Sequence, residues 1–131
     1  MIRYLIALLI IIHGLAHLSG FLAAFTNLEV GYTKKPWVFS SQVTLRSPGG
    51  KVFGVLWLAA MLGLVASGLG ILIQKPCWTD VLPAASALSL VVILPWIRTV
   101  PPGAIAGAAL DGIILITLFT PLRNQLIRLL V

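Results

Sequence analysis

Long stretches without a charge alternate with short polar joints along the chain. Three stand out at once: Tyr4–Leu28, Val52–Gln74 and Val81–Ile97. A fourth, Thr99–Leu122, is broken only by Asp111. A helix that crosses a bilayer needs about 20 apolar residues. Strands in isolation cannot satisfy their backbone polar groups in lipid. The pattern therefore predicts one transmembrane domain over residues 1–131, with helical spans at about 4–25, 52–74, 80–98 and 103–121. A loop over 26–50 and an amphipathic tail over 122–131 complete it. The third run is the shortest, with Asp80 and Arg98 expected at its two interfaces. Closely spaced spans predict an all-α fold, an integral membrane four-helix bundle of up-down-up-down topology.

The joints agree with these bounds. Pro36, Pro48, Gly49 and Gly50 mark the first loop, and Ser47-Pro48 reads as the N-cap and first position of the second span. Lys75-Pro76-Cys77-Trp78 reads as a short turn, with Thr79 or Asp80 capping the third span. Pro101-Pro102-Gly103 opens the fourth, and Pro95 is expected to kink the last turns of the third. After Pro121 the apolar positions fall on one side, so the tail either lies along the interface or extends the fourth helix. Val38–Leu45 could form a short extended segment. The first run follows Arg3 like a signal peptide, but its 25 residues exceed an h-region of about 7–15, and no small-x-small cleavage site follows. It reads as a retained span.

Composition narrows the class. Apolar residues are 60% of the 131 and charged residues 9%, against about half and a quarter in a soluble domain. Such a chain is neither a soluble enzyme nor disordered. Its formal charge is +6, yet the cations stand at the ends of apolar runs. They point to anionic lipid rather than nucleic acid. Arg3, Lys75, Arg123 and Arg128 oppose Lys34, Lys35, Arg46, Lys51 and Arg98, an even balance that assigns no orientation. Cys77 is the only cysteine, so no internal disulfide forms.

Lipid gives helices no hydrophobic reason to associate, so small residues must let backbones approach. Three stripes at four-residue spacing qualify: Ala16, Gly20 and Ala24; Ala59, Gly63 and Ser67; Ala104, Ala108 and Gly112. They serve packing within the bundle or against a partner chain. Trp57, Trp78 and Trp96 fall near span ends, as an aromatic belt would place them. Trp37 lies in the first loop with Tyr32, Phe39, Lys34, Lys35 and Arg46. That loop reads as an interfacial anchor or a docking surface for another subunit.

The chemistry concentrates in three residues. His13 and His17, four apart, share one helix face near the centre of the first span. Asp111 lies near the middle of the fourth. Ionisable groups at that depth cost several kcal/mol unless they find partners, so the three are expected to face inward and meet. Three roles stay open. The cluster can be structural. It can hold a cofactor or metal: an i, i+4 histidine pair suits a metal, Asp111 adds a third ligand, and one imidazole can bind a haem or chlorin. It can carry protons or ions. Enzymatic chemistry is weakly supported. Glu29 is the sole glutamate, too few for a di-iron site, and Ser19 or Ser67 lies in no nucleophile elbow. Ser86 and Ser89 are expected to bond backbone carbonyls. There is no Walker loop and no dinucleotide fingerprint.

Ile12-His13-Gly14-Leu15-Ala16-His17-Leu18-Ser19-Gly20-Phe21 resembles the first helix of small four-helix prokaryotic membrane proteins with an HGxxHxxGF pattern. Gly54-Val55-Leu56-Trp57-Leu58 resembles the start of their second helix. The resemblance implies a four-helix layout in a prokaryotic cytoplasmic membrane and supplies no activity, since the role of these proteins is unassigned.

Two functions remain. The chain is expected to be a small accessory or structural subunit of a larger membrane complex, touching a hydrophobic cofactor (chlorin, haem, quinone) or lipid through His13 and His17. Other membrane subunits, or further copies of itself, are the expected protein partners. The alternative is a small proton- or metal-coupled transporter built on His13, His17 and Asp111.

Overall fold

A computed structural model describes residues 1–130. Among them the fold is all-helical, without strands. The first apolar run forms α1 (Ile2–Ala16) and α2 (Leu18–Phe25), and the others form α3 (Pro48–Leu72), α4 (Trp78–Ile93), α5 (Gly103–Phe119) and α6 (Leu122–Leu130). Three stretches are long and apolar enough to cross a membrane: Ile2–Phe25, Pro48–Leu72 and Trp78–Trp96. α5 and α6 pass that test only as a pair, and the chain turns by 102° between them.

Local chemistry sets the ends. Ser47 caps α3, its hydroxyl accepting from the Gly50 N–H at 3.3 Å, and Pro48 follows at the first helical position. Cys77, rather than Thr79 or Asp80, stands at the start of α4. Thr79 lies inside the first turn, its hydroxyl donating back to the Pro76 carbonyl at 2.9 Å. Pro95 ends α4 instead of kinking it, because Leu94–Trp96 tightens into a 3-10 turn. The proline inside α4 is Pro83, in its second turn.

α3 is the central element, packed against α1, α2 and α4; α5 packs against α4. Two apolar clusters fill the interior. One joins Ala7 and Ile10 of α1 to Leu64, Ile71, Trp78, Leu82 and Leu118. α6 lies across this end, turned away from the axis of α5, with Leu130 buried and Leu126 and Ile127 half-buried. The other cluster joins Ala23, Leu45, Trp57, Val92, Ile93, Trp96 and Val100.

The tryptophans correct the aromatic-belt expectation. Trp57, Trp78 and Trp96 are at most 2% exposed, so their rings fill the interior rather than girdle the outside. Trp37 is half-buried and stacks near Trp96, with ring centres 6.1 Å apart. The first loop folds onto its own chain. Val38 N–H donates to the Pro95 carbonyl, Thr33 N–H to Thr99, and the Thr99 hydroxyl to Lys35. The segment 38–45 is a succession of turns rather than an extended strand.

The small-residue stripes divide. Gly20 and Ala24 are buried, and a β-carbon on Gly20 would collide with the Trp57 ring. A β-carbon on Gly63 would come to 2.8 Å from that of Ala85, and Ser67 is buried. Ala104 and Ala108 pack on the second cluster. Ala16 and Ala59, however, are exposed, and Gly112 faces open space. A period of four drifts off one face of a helix with 3.6 residues per turn, which is why each stripe keeps only part of its contact.

Candidate functional site: a buried histidine–aspartate–serine network

α1 ends where the site begins. The His17 N–H donates to the Gly14 carbonyl at 3.0 Å, and Gly20 N–H donates to His17 at 3.0 Å, so the helix tightens by one residue at this point. The His17 ring turns back along its own helix, and its Nδ1–H donates to the His13 carbonyl at 3.0 Å. The two imidazoles stand edge to face, with centres 4.9 Å apart.

Three helices then supply a continuous network. His13 Nε2 lies 3.1 Å from Asp111 Oδ1 on α5. Asp111 Oδ2 is hydrogen-bonded to the Ser89 hydroxyl of α4. The same hydroxyl lies 2.7 Å from His17 Nε2. Asp111 and Ser89 are fully buried, and the histidines are less than a tenth exposed. Unpaired, a carboxylate here would carry the full cost of desolvation; hydrogen bonds on both oxygens offset it. The structure thus brings together His13, His17 and Asp111, and adds Ser89.

Ser89 was within reach of sequence reading, as a polar residue in an apolar run. The expectation of a backbone bond assigned it the wrong partner. Ser86 also departs from that expectation: its hydroxyl is buried without a hydrogen-bond partner among the described residues. Gly107 is a second residue the sequence did not single out. A β-carbon there would lie 2.8 Å from His13 Cε1, so the absence of a side chain lets the imidazole sit against α5.

A half-open cleft of about 210 Å³ leads to the network. His13, His17, Tyr32, Trp57, Pro101 and Gly107 are among its walls. Tyr32 reaches toward Ser19, oxygen to oxygen 3.4 Å. Burial pushes its phenol above the ordinary 10.0, and the Ser19 bond pulls the other way. Asp111 and Ser89 stand behind the imidazoles. Beyond them, toward α6, lies the first apolar cluster. A second cavity of about 230 Å³ lies under the loop, with Lys34, Lys35, Arg46 and Glu29 among its walls.

The donor set can be tested against a metal. Ligating atoms of His13, His17 and Asp111 lie within 4.8 Å of one another. The His17 Nδ1 bond to a carbonyl is the arrangement that orients metal-bound imidazoles. Tetrahedral zinc, with bonds of about 2.0–2.1 Å, spaces its ligands roughly 3.4 Å apart. The set must contract, and with Asp111 Oδ1 and both Nε2 atoms as ligands the Ser89–His17 and His13–Asp111 hydrogen bonds must break. For a haem or chlorin, either Nε2 must first leave its present partner.

No family model, curated protein or solved structure matches this chain.

Proposed function

We propose that the chain is a multi-pass membrane protein, an up-down-up-down bundle of four spans, and a small subunit of a larger assembly in a prokaryotic cytoplasmic membrane. In this reading its cleft receives the polar head of a hydrophobic cofactor or lipid beside His13 and His17. The carrying observation is the half-open cleft, whose walls combine two imidazoles and the Tyr32 phenol with apolar groups such as Trp57, Ile93 and Ala104. A pocket with a few convergent polar groups is the ordinary form of a ligand site.

Membrane embedding is supported by the perimeter. Leu5, Leu8, Leu9, Ile12 and Leu15 are each half exposed or more along α1, and so are Ile105, Ile113, Ile116 and Phe119 along α5. A soluble monomer rarely presents so much contiguous apolar surface. Lipid or apolar partner subunits would cover it. The basic pocket of Lys34, Lys35 and Arg46 suits an anionic headgroup at the interface.

The test is purification in mild detergent, followed by an optical spectrum, native mass spectrometry and analysis of extracted lipids. A stoichiometric cofactor or lipid, lost in His17→Ala, and a defined membrane partner are expected. A monodisperse single chain without ligand would overturn this reading.

A proton- or metal-coupled carrier is favoured by the convergence of His13, His17 and Asp111. It requires a second half-path, from another copy or from movement of α5. In proteoliposomes, His17→Ala and Asp111→Asn should abolish flux; unchanged flux removes that reading.

A further inference from the structure

We propose that His13, Asp111, Ser89 and His17 share one proton along a hydrogen-bonded relay that opens to the cleft at His13 Nδ1. The proposal deepens the reading above. It takes the apolar setting from membrane embedding and the proton count from the hydrogen bonds themselves.

Three links join four side chains: His13 to Asp111, Asp111 to Ser89, and Ser89 to His17. Each link needs one proton between its heavy atoms. The ring proton of a neutral His17 is committed at Nδ1, because the carbonyl it faces has none to give. His13 contributes one proton at Nε2 and Ser89 one from its hydroxyl. With both imidazoles neutral and Asp111 ionised, two protons serve three links. One hydrogen bond would then become a contact between two lone pairs.

One added proton completes all three links, and it has two resting places. On Asp111 Oδ2 it points at Ser89, whose hydroxyl then donates to His17. On His17 Nε2 it points at Ser89, whose hydroxyl then donates to Asp111. The forms interconvert by transfer through the serine: the carboxyl O–H bond breaks, a new Ser89 O–H bond forms, and the old serine proton bonds to His17 Nε2. Both forms carry zero net charge. An environment without water favours that neutrality, so hydrogen-bond count and charge balance select the same proton number. A divalent cation on the same groups would leave net positive charge and break the His13–Asp111 and Ser89–His17 links. The present contacts therefore favour a proton over a metal.

No other titratable side chain enters the relay. α2 has none, and that of α3, Lys51, stands at its exposed outer end. Asp80 of α4 is exposed at the helix start, and Arg123 and Arg128 of α6 are exposed at the far end of the molecule. Tyr32 is the other titratable group lining the cleft. His13 Nδ1 has no hydrogen-bond partner among the described residues, and its ring lines the cleft. The opposite end closes on the His13 carbonyl. A ligand in the cleft therefore exchanges a proton, or a hydrogen bond, with His13 Nδ1, and its partners in the relay store the change.

The experiment reads imidazole protonation by nitrogen-15 NMR and the Asp111 carboxyl by infrared difference spectroscopy. It uses the full chain, in detergent and in lipid nanodiscs. The wild type should show His17 protonated at Nδ1, with the further proton either on His17 Nε2 or on Asp111. In Asp111→Asn the amide accepts from His13 and donates to Ser89, supplying the third proton permanently. His17 should then be the neutral Nδ1–H form, its Nε2 accepting from Ser89. In Ser89→Ala, adding Asp111→Asn should no longer change His17. A bare His17 Nδ1, or an ionised Asp111 beside two neutral imidazoles, overturns the relay on the wild type alone. A chain that fails to enter nanodiscs overturns the membrane reading instead, while the detergent spectra still decide the relay.

Discussion

Gly107 of α5 faces the imidazole of His13 so closely that a β-carbon would lie 2.8 Å from Cε1 and 3.2 Å from Nδ1. The ring is held on its other edge by Asp111, so it has little room to retreat. Gly107→Ala should therefore cost about 1–3 kcal/mol, the usual penalty of overpacking. Gly112→Ala, on the same helix with nothing within 4 Å, should leave stability unchanged or raise it by up to about 1 kcal/mol. Unfolding in detergent checks the pair. Equal effects would show that α5 does not approach α1 through Gly107.

Two substitutions at Asp111 should behave very differently. Asn can keep both links, accepting from His13 and donating to Ser89. Ala leaves His13 and Ser89 without their buried partner. Asp111→Asn is expected to cost less than about 1 kcal/mol, and Asp111→Ala about 3 kcal/mol or more. Denaturant midpoints measured side by side decide it. A destabilisation by Asn as large as that by Ala would mean that the charge of Asp111, rather than its hydrogen bonds, holds the helices.

Much of this layout was legible because lipid-scale apolar runs leave few choices of secondary structure. The α3 start at Ser47-Pro48 and the α5 start at Pro101-Pro102-Gly103 were fixed by backbone chemistry that acts within a few residues. That His13, His17 and Asp111 meet follows from the cost of burying each alone. What stayed hidden depends on rotation about helix axes and on loop return. Ser89 looked like a side chain bonded to its own helix until its rotamer placed it between Asp111 and His17. Proximity to span ends suggested lipid-facing tryptophans, yet the folded-back loop covers one end and α6 covers the other.

Tyr32 should give the fold a measurable alkaline edge. Its phenol is raised above 10.0 by burial, so the folded chain keeps a proton that the unfolded chain gives up. The folded state then binds more protons, and its stability falls as pH rises. The contribution is fully present below about pH 10 and is lost as pH climbs through the higher folded value. Tyr32→Phe removes this dependence along with the weak Ser19 contact. The difference in melting temperature between wild type and Tyr32→Phe should stay constant from about pH 8 to 9.5 and shift against the wild type above that range. A difference that is flat to pH ~11 would place the phenol in open solvent.

The buried tryptophans make membrane depth testable by fluorescence. Trp57, Trp78 and Trp96 are shielded by protein, and Trp37 partly so. Phe119, by contrast, is 78% exposed at the end of α5. In bilayers with brominated acyl chains, wild-type emission should be quenched only weakly. Phe119→Trp should add a component that the bromines quench strongly, because its ring has nothing but lipid to rest against. The substitution touches no buried neighbour, so the fold is expected to tolerate it within about 0.5 kcal/mol. Wild-type emission quenched as deeply as the added tryptophan would return Trp57, Trp78 and Trp96 to the lipid boundary. The Trp57 wall of the cleft would then be lost with them.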